Sequence, residues 1–453
     1  MMNKRILFMH AAVAASLAML SAPGAAIDLT ASYEKARAVD PSMLAADQAL
    51  LAGREKAVQG RALLKPQVAL SAGVGYLDNR SSTQLSPALA ELAPSHAAGG
   101  TQQVALQLSQ PVYDVKSRAD KAQLEQQSGL AEVRHRDARQ ALIQRVSEAY
   151  FDVLLAEETL RVTQAERQAV QKQRERAQAR FDVGRGKITE LQETQARFDA
   201  VTAREISARS TLEVRQAQYR ELTGAGAEGL AALRAGFRPE PPQPDDLHAW
   251  QERGHTQNTR VQMRRGELAI AGAEIRKYRL SARPTLDVVA SYTYKGQSGG
   301  LATGVSPDSS RAAAVGLQLT LPLFTGGALD SRQRESLARQ GEAEQELAAA
   351  QRDMRVQVQD AFLSVKTGVA RVAALEQSVL SAGTALEATT LGRDLGTRTE
   401  LDVLDAQQRL FGAQLDLAQA RHGYLLGRIR LASAAGDLQE GDLWALNAYL
   451  AIQ

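Results

Sequence analysis

Four stretches of the chain alternate apolar residues with polar or small ones, the period of a β-strand whose two faces meet different surroundings. In the first stretch, 67–77, one face carries Val68, Leu70, Ala72, Val74 and Tyr76. The same period predicts strands at about 102–110, 285–294 and 313–321. Ten residues is about the length of a transmembrane β-strand. A half-buried sheet in a soluble protein would show the same alternation.

Two much longer stretches follow the spacing of a coiled coil. Residues 114–183 contain no Pro and one Gly, so a continuous helix would be about 105 Å long. In the second half of the chain, apolar or small residues are spaced alternately by four and three, at Met354, Val358, Ala361, Val365, Gly368, Val372, Leu375, Val379, Ala382 and Leu386. Each long helix ends near a glycine, Gly184 or Gly396, and a second helix then runs back. The pattern therefore predicts helical hairpins at about 114–223 and 327–435.

The chain repeats itself at an offset of 212 residues. Residues 180–198 align with 392–410, so that Gly184 meets Gly396, Glu190 meets Asp402 and Glu193 meets Asp405. Such a repeat indicates two copies of one structural plan. We expect repeat 1 over 27–235, a Pro-rich linker over 236–255, and repeat 2 over 256–453.

The N-terminus has the three parts of a secretory signal peptide. Lys4 and Arg5 precede an apolar run, and small residues follow it up to Ala26. We therefore expect cleavage after residue 26, with an uncleaved anchor as the alternative. The chain has 453 residues, no Cys and a net charge of +3, which falls to +1 without Lys4 and Arg5. This balance gives no support for nucleic-acid binding.

The predicted elements are incomplete in a single chain. A long apolar seam on a helical hairpin is unstable when it faces water. Four strands with open edges would leave backbone groups unsatisfied in lipid. Both problems are solved when several chains close the sheet into a barrel and the helices into a cylinder.

Several segments resemble TolC-type outer-membrane efflux proteins. They are VGRGKIT at 183–189, LPLFTGG at 321–327, GTRTELDVLDAQQRL at 396–410 and the GDLWALN that ends at Asn447. The similarity covers the whole mature chain in order. It implies a homotrimer in the outer membrane, with a 12-stranded β-barrel to which each chain gives four strands. A coiled-coil α-helical tunnel would continue into the periplasm, and residues 78–101 and 295–312 would form loops outside the cell.

The resemblance also implies partners and a gate. The family forms the exit duct of multidrug pumps or of one-step protein secretion, with an inner-membrane transporter and a periplasmic adaptor as partners. Asp402 and Asp405 match the acidic pair around the closed periplasmic entrance. The residues that match the lock between neighbouring hairpins are Thr189, Glu190 and Arg398. We expect the adaptor to contact the turns at Gly184 and Gly396.

One tip residue departs from the family pattern. Arg393 stands where a family member carries Tyr, and we expect Arg393 to form an ion pair with Glu190. Asp402 and Asp405 are spaced i, i+3 and so share a helix face. Three chains would then place six carboxylates around a narrow mouth and favour cations. Alternatively, acids in the first turn only stabilise the helix dipole.

No motif supports catalysis. The five histidines of the mature chain, His96, His135, His248, His255 and His422, show no metal-binding spacing, and we expect neither enzyme activity nor a cofactor. Two other classes stay open, a periplasmic adaptor and a structural coiled-coil protein. An adaptor should carry one hairpin within β-rich domains rather than two hairpins and four membrane-type strands. The cargo is not encoded in any motif.

Overall fold

The computed structural model describes residues 27–80, 96–234, 236–301 and 308–451. The expected signal peptide, 1–26, and the centres of the two expected outer loops, 81–95 and 302–307, lie outside the described residues. The described residues divide into two compact units. The first comprises 27–49, Val133–Gln262 and 348–451, and the second comprises Leu50–Glu132 and Met263–Leu347.

Two successive halves of the chain show the same order of elements. The first half contains α1 (Leu29–Val39), α2 (Pro41–Ala62), β1 (Gln67–Arg80), β2 (His96–Tyr113), α3 (Val115–Asp182) and α4 (Ile188–Thr223). The second half contains α5 (Leu247–Gln257), α6 (Thr259–Leu280), β3 (Thr285–Gln297), β4 (Ser309–Thr320), α7 (Ala328–Asp394), α8 (Glu400–Ala435) and the short α9 (Glu440–Asn447). The predicted linker, 236–255, thus includes most of α5.

Matching helices in the two halves have the same lengths. Helices α1 and α5 have 11 residues each and begin at 29 and 247, and α4 and α8 have 36 residues each and begin at 188 and 400. The N-caps also match, because Asp28 and Asp246 each accept a backbone N–H with the side chain. The same local chemistry therefore starts α1 and α5, whereas α4 begins after Lys187 without a side-chain cap and α8 begins after Thr399 with a capping box.

Both hairpin turns have the same backbone geometry. Gly184 and Gly396 have φ values of 72° and 76°, in the left-handed region that favours glycine. Arg185 N–H donates to the Arg180 carbonyl at 2.8 Å, and Thr397 N–H donates to the Gly392 carbonyl at 2.8 Å. These bonds satisfy carbonyls at the end of each long helix.

The predicted coiled-coil seam is buried in the first unit. On α7, Met354, Val358, Val365 and Val372 are at most 2% exposed. Further along α7, Leu375, Val379, Ala382 and Leu386 are only half-buried. On α3, Leu142, Val146 and Val153 are fully buried. The alternating spacing of four and three therefore predicted the packed face of α7 up to Val372 and of the middle of α3.

Large aromatic side chains form the centre of the first unit. Tyr150 contacts Phe151 edge to face at 5.6 Å and Tyr219 at 6.5 Å between ring centroids. Its hydroxyl donates to the Ala231 carbonyl at 2.9 Å, so its burial leaves no unsatisfied polar group. The Tyr424 hydroxyl likewise donates to the Glu240 carbonyl at 2.7 Å.

The second unit contains one antiparallel sheet of order β1-β2-β3-β4. Its register places Leu70 opposite Leu106, Leu106 opposite Tyr292, and Tyr292 opposite Ala313. One face, here called the apolar face, is continuous across the strands and includes Val68, Leu70, Ala72, Val104, Leu106, Leu108, Val288, Ala290, Tyr292, Val315, Leu317 and Leu319. The other, the polar face, includes Ala69, Ser71, Gly73, Gln103, Ala105, Gln107, Ser291, Thr293, Lys295, Ser310, Ala312 and Ala314.

The apolar face is exposed in the single chain. Val74 is 90% exposed, Val315 80% and Leu70 70%. Exposing this much contiguous apolar surface to water is unfavourable by about 25 cal/mol per Å². The strands also run past their predicted ends, to Arg80 in β1 and from His96 in β2. Backbone pairing continues there although the side chains no longer alternate cleanly.

The helices of the described chain do not have the composition of membrane spans. None of them combines the length and the hydropathy that a membrane-crossing helix needs.

Gly436 provides a test of the turn at the end of α8. It has a φ of 77°, and an added Cβ would lie 2.3 Å from the Gln257 carbonyl carbon. Gly184 has a similar φ but open space around it. We expect Gly184→Ala to cost about 1–2 kcal/mol from the left-handed backbone alone. Gly436→Ala should lower the melting temperature clearly further, as followed by circular dichroism. If Gly184→Ala and Gly436→Ala lowered the melting temperature equally, the close packing around Gly436 would be contradicted.

His422 makes stability depend on pH. It lies in α8, is 6% exposed and packs on Phe151 at 5.9 Å, and burial lowers its pKa to about 4. Between about pH 6.5 and pH 4, His422 is therefore protonated in the unfolded chain and neutral in the folded chain. The free energy of unfolding falls by about 3 kcal/mol as the pH is lowered from 6.5 to 4. His422→Leu should reduce the fall in melting temperature across this window. An unchanged fall would show that other groups cause it.

Candidate functional site

Helix α8 begins at the tip of the second hairpin, and its N-terminus is capped by side-chain hydrogen bonds. Thr399 is the N-cap of α8, and its hydroxyl accepts the Asp402 N–H at 3.2 Å. In return, the Asp402 carboxylate accepts the Thr399 N–H at 2.8 Å. This reciprocal capping box fixes where α8 begins after the Gly396 turn.

The capping role changes the acidity of Asp402. Hydrogen bonds from the backbone and hydroxyl of Thr399 stabilise the carboxylate and lower the pKa of Asp402 below its usual value. Asp402 therefore stays negatively charged at lower pH than an ordinary aspartate. The sequence offered stabilisation of the helix dipole as the alternative role of this acid, and the capping box adds a local structural role that was not predicted. The Asp402 side chain is still half-exposed.

Asp405 has a partner on the other hairpin. Its carboxylate lies 3.2 Å from the Arg197 guanidinium of α4, and its side chain is 48% exposed. Arg197 was missed by the sequence reasoning because it lies 208 residues before Asp405. The two acids are thus held in different ways, Asp402 by its own helix and Asp405 by the first hairpin.

Arg393 does not form the ion pair expected from the sequence. Its guanidinium lies 2.7 Å from Asp394 and 3.4 Å from Glu400, and the Arg393 and Glu400 side chains are only 12% and 7% exposed. Within the described part of the chain, the expected pair with Glu190 is absent. Glu400, which lies just after the Gly396 turn, is closer to the Arg393 guanidinium than Glu190 is. Arg393 therefore links the two helices of its own hairpin.

The first hairpin has apolar residues at the matching positions. The offset of 212 residues relates Arg393 to Phe181 and Glu400 to Ile188. Phe181 is 38% exposed and Ile188 is 50% exposed. The two turns therefore share a backbone but differ in side-chain chemistry, with a buried ion pair in one and exposed apolar groups in the other.

The other predicted tip residues lie at or near the turns. Thr189 is exposed and Glu190 is half-exposed, both in the first turn of α4. Arg398 is exposed in the second turn, where its N–H donates to the Gly392 carbonyl at 3.1 Å. Gly184 and Gly396 are both exposed. These positions are accessible to a neighbouring chain or a partner.

A small core joins the two hairpins near their tips. Val170 of α3, Val201 of α4 and Leu404 of α8 form one buried cluster, with Phe198 packed against it. Next to this cluster, Glu166 pairs with Arg204 at 2.7 Å, and the Glu166 side chain is 3% exposed. Removing Arg204, which is itself 48% exposed, would leave the buried Glu166 carboxylate without its counter-charge.

The described residues contain no group of three or more His, Asp or Glu placed to hold a metal ion.

These features define a class of protein. One chain carries a sheet with an exposed apolar face and two long helical hairpins whose seams are partly uncovered. The family described as outer membrane efflux protein matches residues 32–225 and 255–437. The chain belongs to this family, and its place is the outer membrane. The resemblance stated from the sequence is confirmed.

Similar sequences span nearly the whole chain. The outer membrane protein TolC of Escherichia coli K12 is 32% identical over 441 residues, covering 95% of this chain and 87% of that protein. The TolC of Vibrio cholerae is 32% identical and covers 97% and 98%. The alkaline protease secretion protein AprF of Pseudomonas aeruginosa is 31% identical and covers 95% and 88%.

Solved structures share the fold at lower identity. The Campylobacter jejuni CmeC outer membrane channel has a TM-score of 0.77 at 16% identity, covering 93% of this chain and 89% of that chain. The Vibrio cholerae outer membrane protein VceC has a TM-score of 0.74 at 21% identity, covering 90% and 96%.

The Arg393–Glu400 pair can be tested against its counterpart in the first hairpin. Arg393→Phe should destabilise the protein by about 3 kcal/mol, because it leaves the Glu400 carboxylate buried without a counter-charge. The double variant Arg393→Phe, Glu400→Ile carries the residues of the first hairpin and should recover most of this loss. Urea unfolding followed by circular dichroism measures both. If the double variant were as unstable as the single one, the link would not be electrostatic.

Proposed function

We propose that this protein is the outer-membrane exit duct of a tripartite efflux pump or of a type I secretion system. The observation that carries the proposal is a four-stranded sheet with an exposed apolar face and two unpaired edges, in a chain that also contains two long hairpins. The names of the relatives support both uses. TolC is an outer membrane protein, BepC of Brucella suis is an outer membrane efflux protein, and AprF and PrtF are protease secretion proteins.

The sheet edges support assembly into a homotrimer. β1 and β4 are the edge strands, and all their residues are exposed. Lipid offers no hydrogen bonds to such edges, so a membrane sheet must close on itself. Three chains with four strands each would form a 12-stranded barrel, with β4 of one chain paired with β1 of the next. The apolar face would then contact lipid, and the polar face would line water.

The helices support a tunnel made of repeated units. Two copies of one plan per chain, with matching helix lengths and turn bonds, would give six similar hairpins around a threefold axis. The half-buried seam residues of α7 near the tip, such as Val379 and Leu386, leave surface for a neighbouring hairpin. The tunnel would extend into the periplasm and be closed at the hairpin tips until its partners bind.

The tip residues support a gate with a negative charge. Asp402 and Asp405 of three chains would ring the closed entrance, where like charges about 6 Å apart repel by roughly 3 kcal/mol at an effective dielectric of 20. Arg197 offsets part of the charge of Asp405. Thr189, Glu190 and Arg398 would link neighbouring hairpins, while Arg393 would stiffen its own hairpin.

The exposed turns support docking by other proteins. Near Gly184 and Gly396, Val183 is 69% exposed and Leu395 is 72% exposed. We assign these turns to a periplasmic adaptor, which would connect the duct to an inner-membrane transporter that supplies energy. The alternatives considered from the sequence were a periplasmic adaptor and a structural coiled-coil rod. Either would fractionate away from the outer membrane and would not form a heat-modifiable trimer.

The acidic gate is tested by single-channel recording in planar bilayers. The wild type should give a small, cation-selective conductance that falls when divalent or trivalent cations are added on the tip side. Asp402→Ala with Asp405→Ala should reduce cation selectivity and abolish the block, because the ring charge is removed.

A matched control removes two carboxylates elsewhere. Asp353 and Asp360 are exposed on α7, more than thirty residues before the Gly396 turn. Asp353→Ala with Asp360→Ala should leave the block by multivalent cations intact. Unchanged selectivity in the Asp402, Asp405 variant would remove the gate from the proposal. A membrane-inserted protein with no conductance in any variant would count against the duct itself.

A further inference from the structure

The polar face of the sheet carries very little charge. Among the described strand residues it has two charged side chains, Asp287 and Lys295, both on β3. The remaining positions are mainly Ala, Gly, Ser, Thr and Gln. The two charges are eight positions apart, about 26 Å along a strand. Lys295 lies at the end of β3 that leads to β4, and Asp287 lies at the end that follows α6.

The neighbours of Lys295 are hydrogen-bonding but uncharged. In the register, Gln103 lies opposite Lys295 on one side and Ser310 on the other. These residues line a hollow of about 710 Å³ on the polar face, together with Gly73, Gly75 and Thr101. Amide and hydroxyl groups can donate to an anion beside an ammonium. No carboxylate lines the hollow.

Lys295 is also electrostatically uncompensated. The side chain is exposed, and the described residues show no ion pair to its ammonium. The described acid in this region is Asp308, two residues before Ser310, and the Asp308 carbonyl accepts the Gln297 N–H. A cation with donor groups around it and no carboxylate paired to it is suited to carboxylate or phosphate groups.

The opposite face provides an internal reference. Arg311 of β4 lies opposite Tyr294, one residue before Lys295, so Arg311 and Lys295 are at the same end of the sheet on opposite faces. The Arg311 guanidinium lies over the Tyr294 ring at 6.0 Å. The two residues have the same charge and nearly the same height, and they differ in the face they occupy.

We propose that Lys295, with Gln103 and Ser310, forms an anion-binding site on the barrel wall for solutes that carry carboxylate or phosphate groups. The site rests on the proposed function, because the polar face lines water only in a closed barrel. Three copies form a positive ring near the outer mouth, opposite in sign to the acidic entrance at the hairpin tips. Anionic cargo that has passed the entrance therefore meets attraction at the exit.

The width of a barrel sets the conditions under which this ring acts. Screening by salt has a length of about 3 Å at 1 M and about 30 Å at 0.01 M. Charges on a wide wall therefore influence permeating ions at low salt and lose this influence at high salt. The narrow acidic entrance lies in series and would dominate selectivity, so the test needs a background without it.

The test uses reversal potentials in planar bilayers, in the full-length Asp402→Ala, Asp405→Ala protein. At about 0.01 M KCl, adding Lys295→Gln should raise the ratio of K⁺ to Cl⁻ permeability severalfold, and at about 1 M the effect should vanish. Arg311→Gln removes the same charge from the apolar face and should leave the ratio unchanged. Equal shifts in both variants, or no shift with Lys295→Gln, would overturn the proposal.

Cysteine chemistry provides a second, independent measurement. The chain has no Cys, so Lys295→Cys introduces a single thiol per chain. A membrane-impermeant thiosulfonate carrying an ammonium group should return the permeability ratio to the value measured with Lys295. A reagent carrying a sulfonate should shift it further toward K⁺. A thiol at Lys295 that changes nothing when modified would refute the site.

Failure of this inference is distinct from failure of the proposed function. If the background protein forms channels but Lys295→Gln behaves as its parent, only the anion site is lost. If no variant conducts although the protein is inserted in the membrane, the duct itself is refuted, and the anion site with it.

Discussion

Backbone hydrogen bonding in lipid is the constraint on which the rest of this structure depends. A sheet whose apolar face is exposed, with Val74 and Val315 at 90% and 80%, is suited to hydrocarbon rather than water. Hydrocarbon cannot satisfy the free N–H and C=O groups of an edge strand. The open edges at β1 and β4 therefore make one chain an incomplete membrane structure. In the proposed duct, neighbouring chains close those edges into a barrel, and the polar face of the sheet then lines water.

The two halves of the chain share a backbone plan while their side chains have diverged. Helices α4 and α8 have equal lengths, and the turns at Gly184 and Gly396 make the same hydrogen bonds. Glycine is needed at both turns because their φ values lie in the left-handed region. The side chains around them are free of that constraint. The second hairpin buries the Arg393–Glu400 ion pair, where the first exposes Phe181 and Ile188, so the two tips present different surfaces to any partner.

The positions of charged residues along the proposed duct are more informative than the net charge of the chain. The net charge of +3 is uninformative, but acids gather at the hairpin tip and a lone lysine stands on the polar face of the sheet. Asp402 is held ionised by its capping hydrogen bonds, and Arg197 partly offsets Asp405. A narrow entrance magnifies such charges, whereas a wide barrel leaves them subject to salt screening.

The sequence by itself determined the elements, because strand and helix periods are local properties. The alternation at 67–77 predicted β1, and the seam from Met354 onward predicted the buried face of α7. The repeat at an offset of 212 residues predicted the turns at Gly184 and Gly396. Only the tertiary structure decided which side chains meet. Asp405 lies beside Arg197 across 208 residues, and Arg393 turns to Glu400 instead of Glu190. Ion pairs depend on distances of a few ångströms between separately folded helices, and no periodicity along the chain encodes those distances.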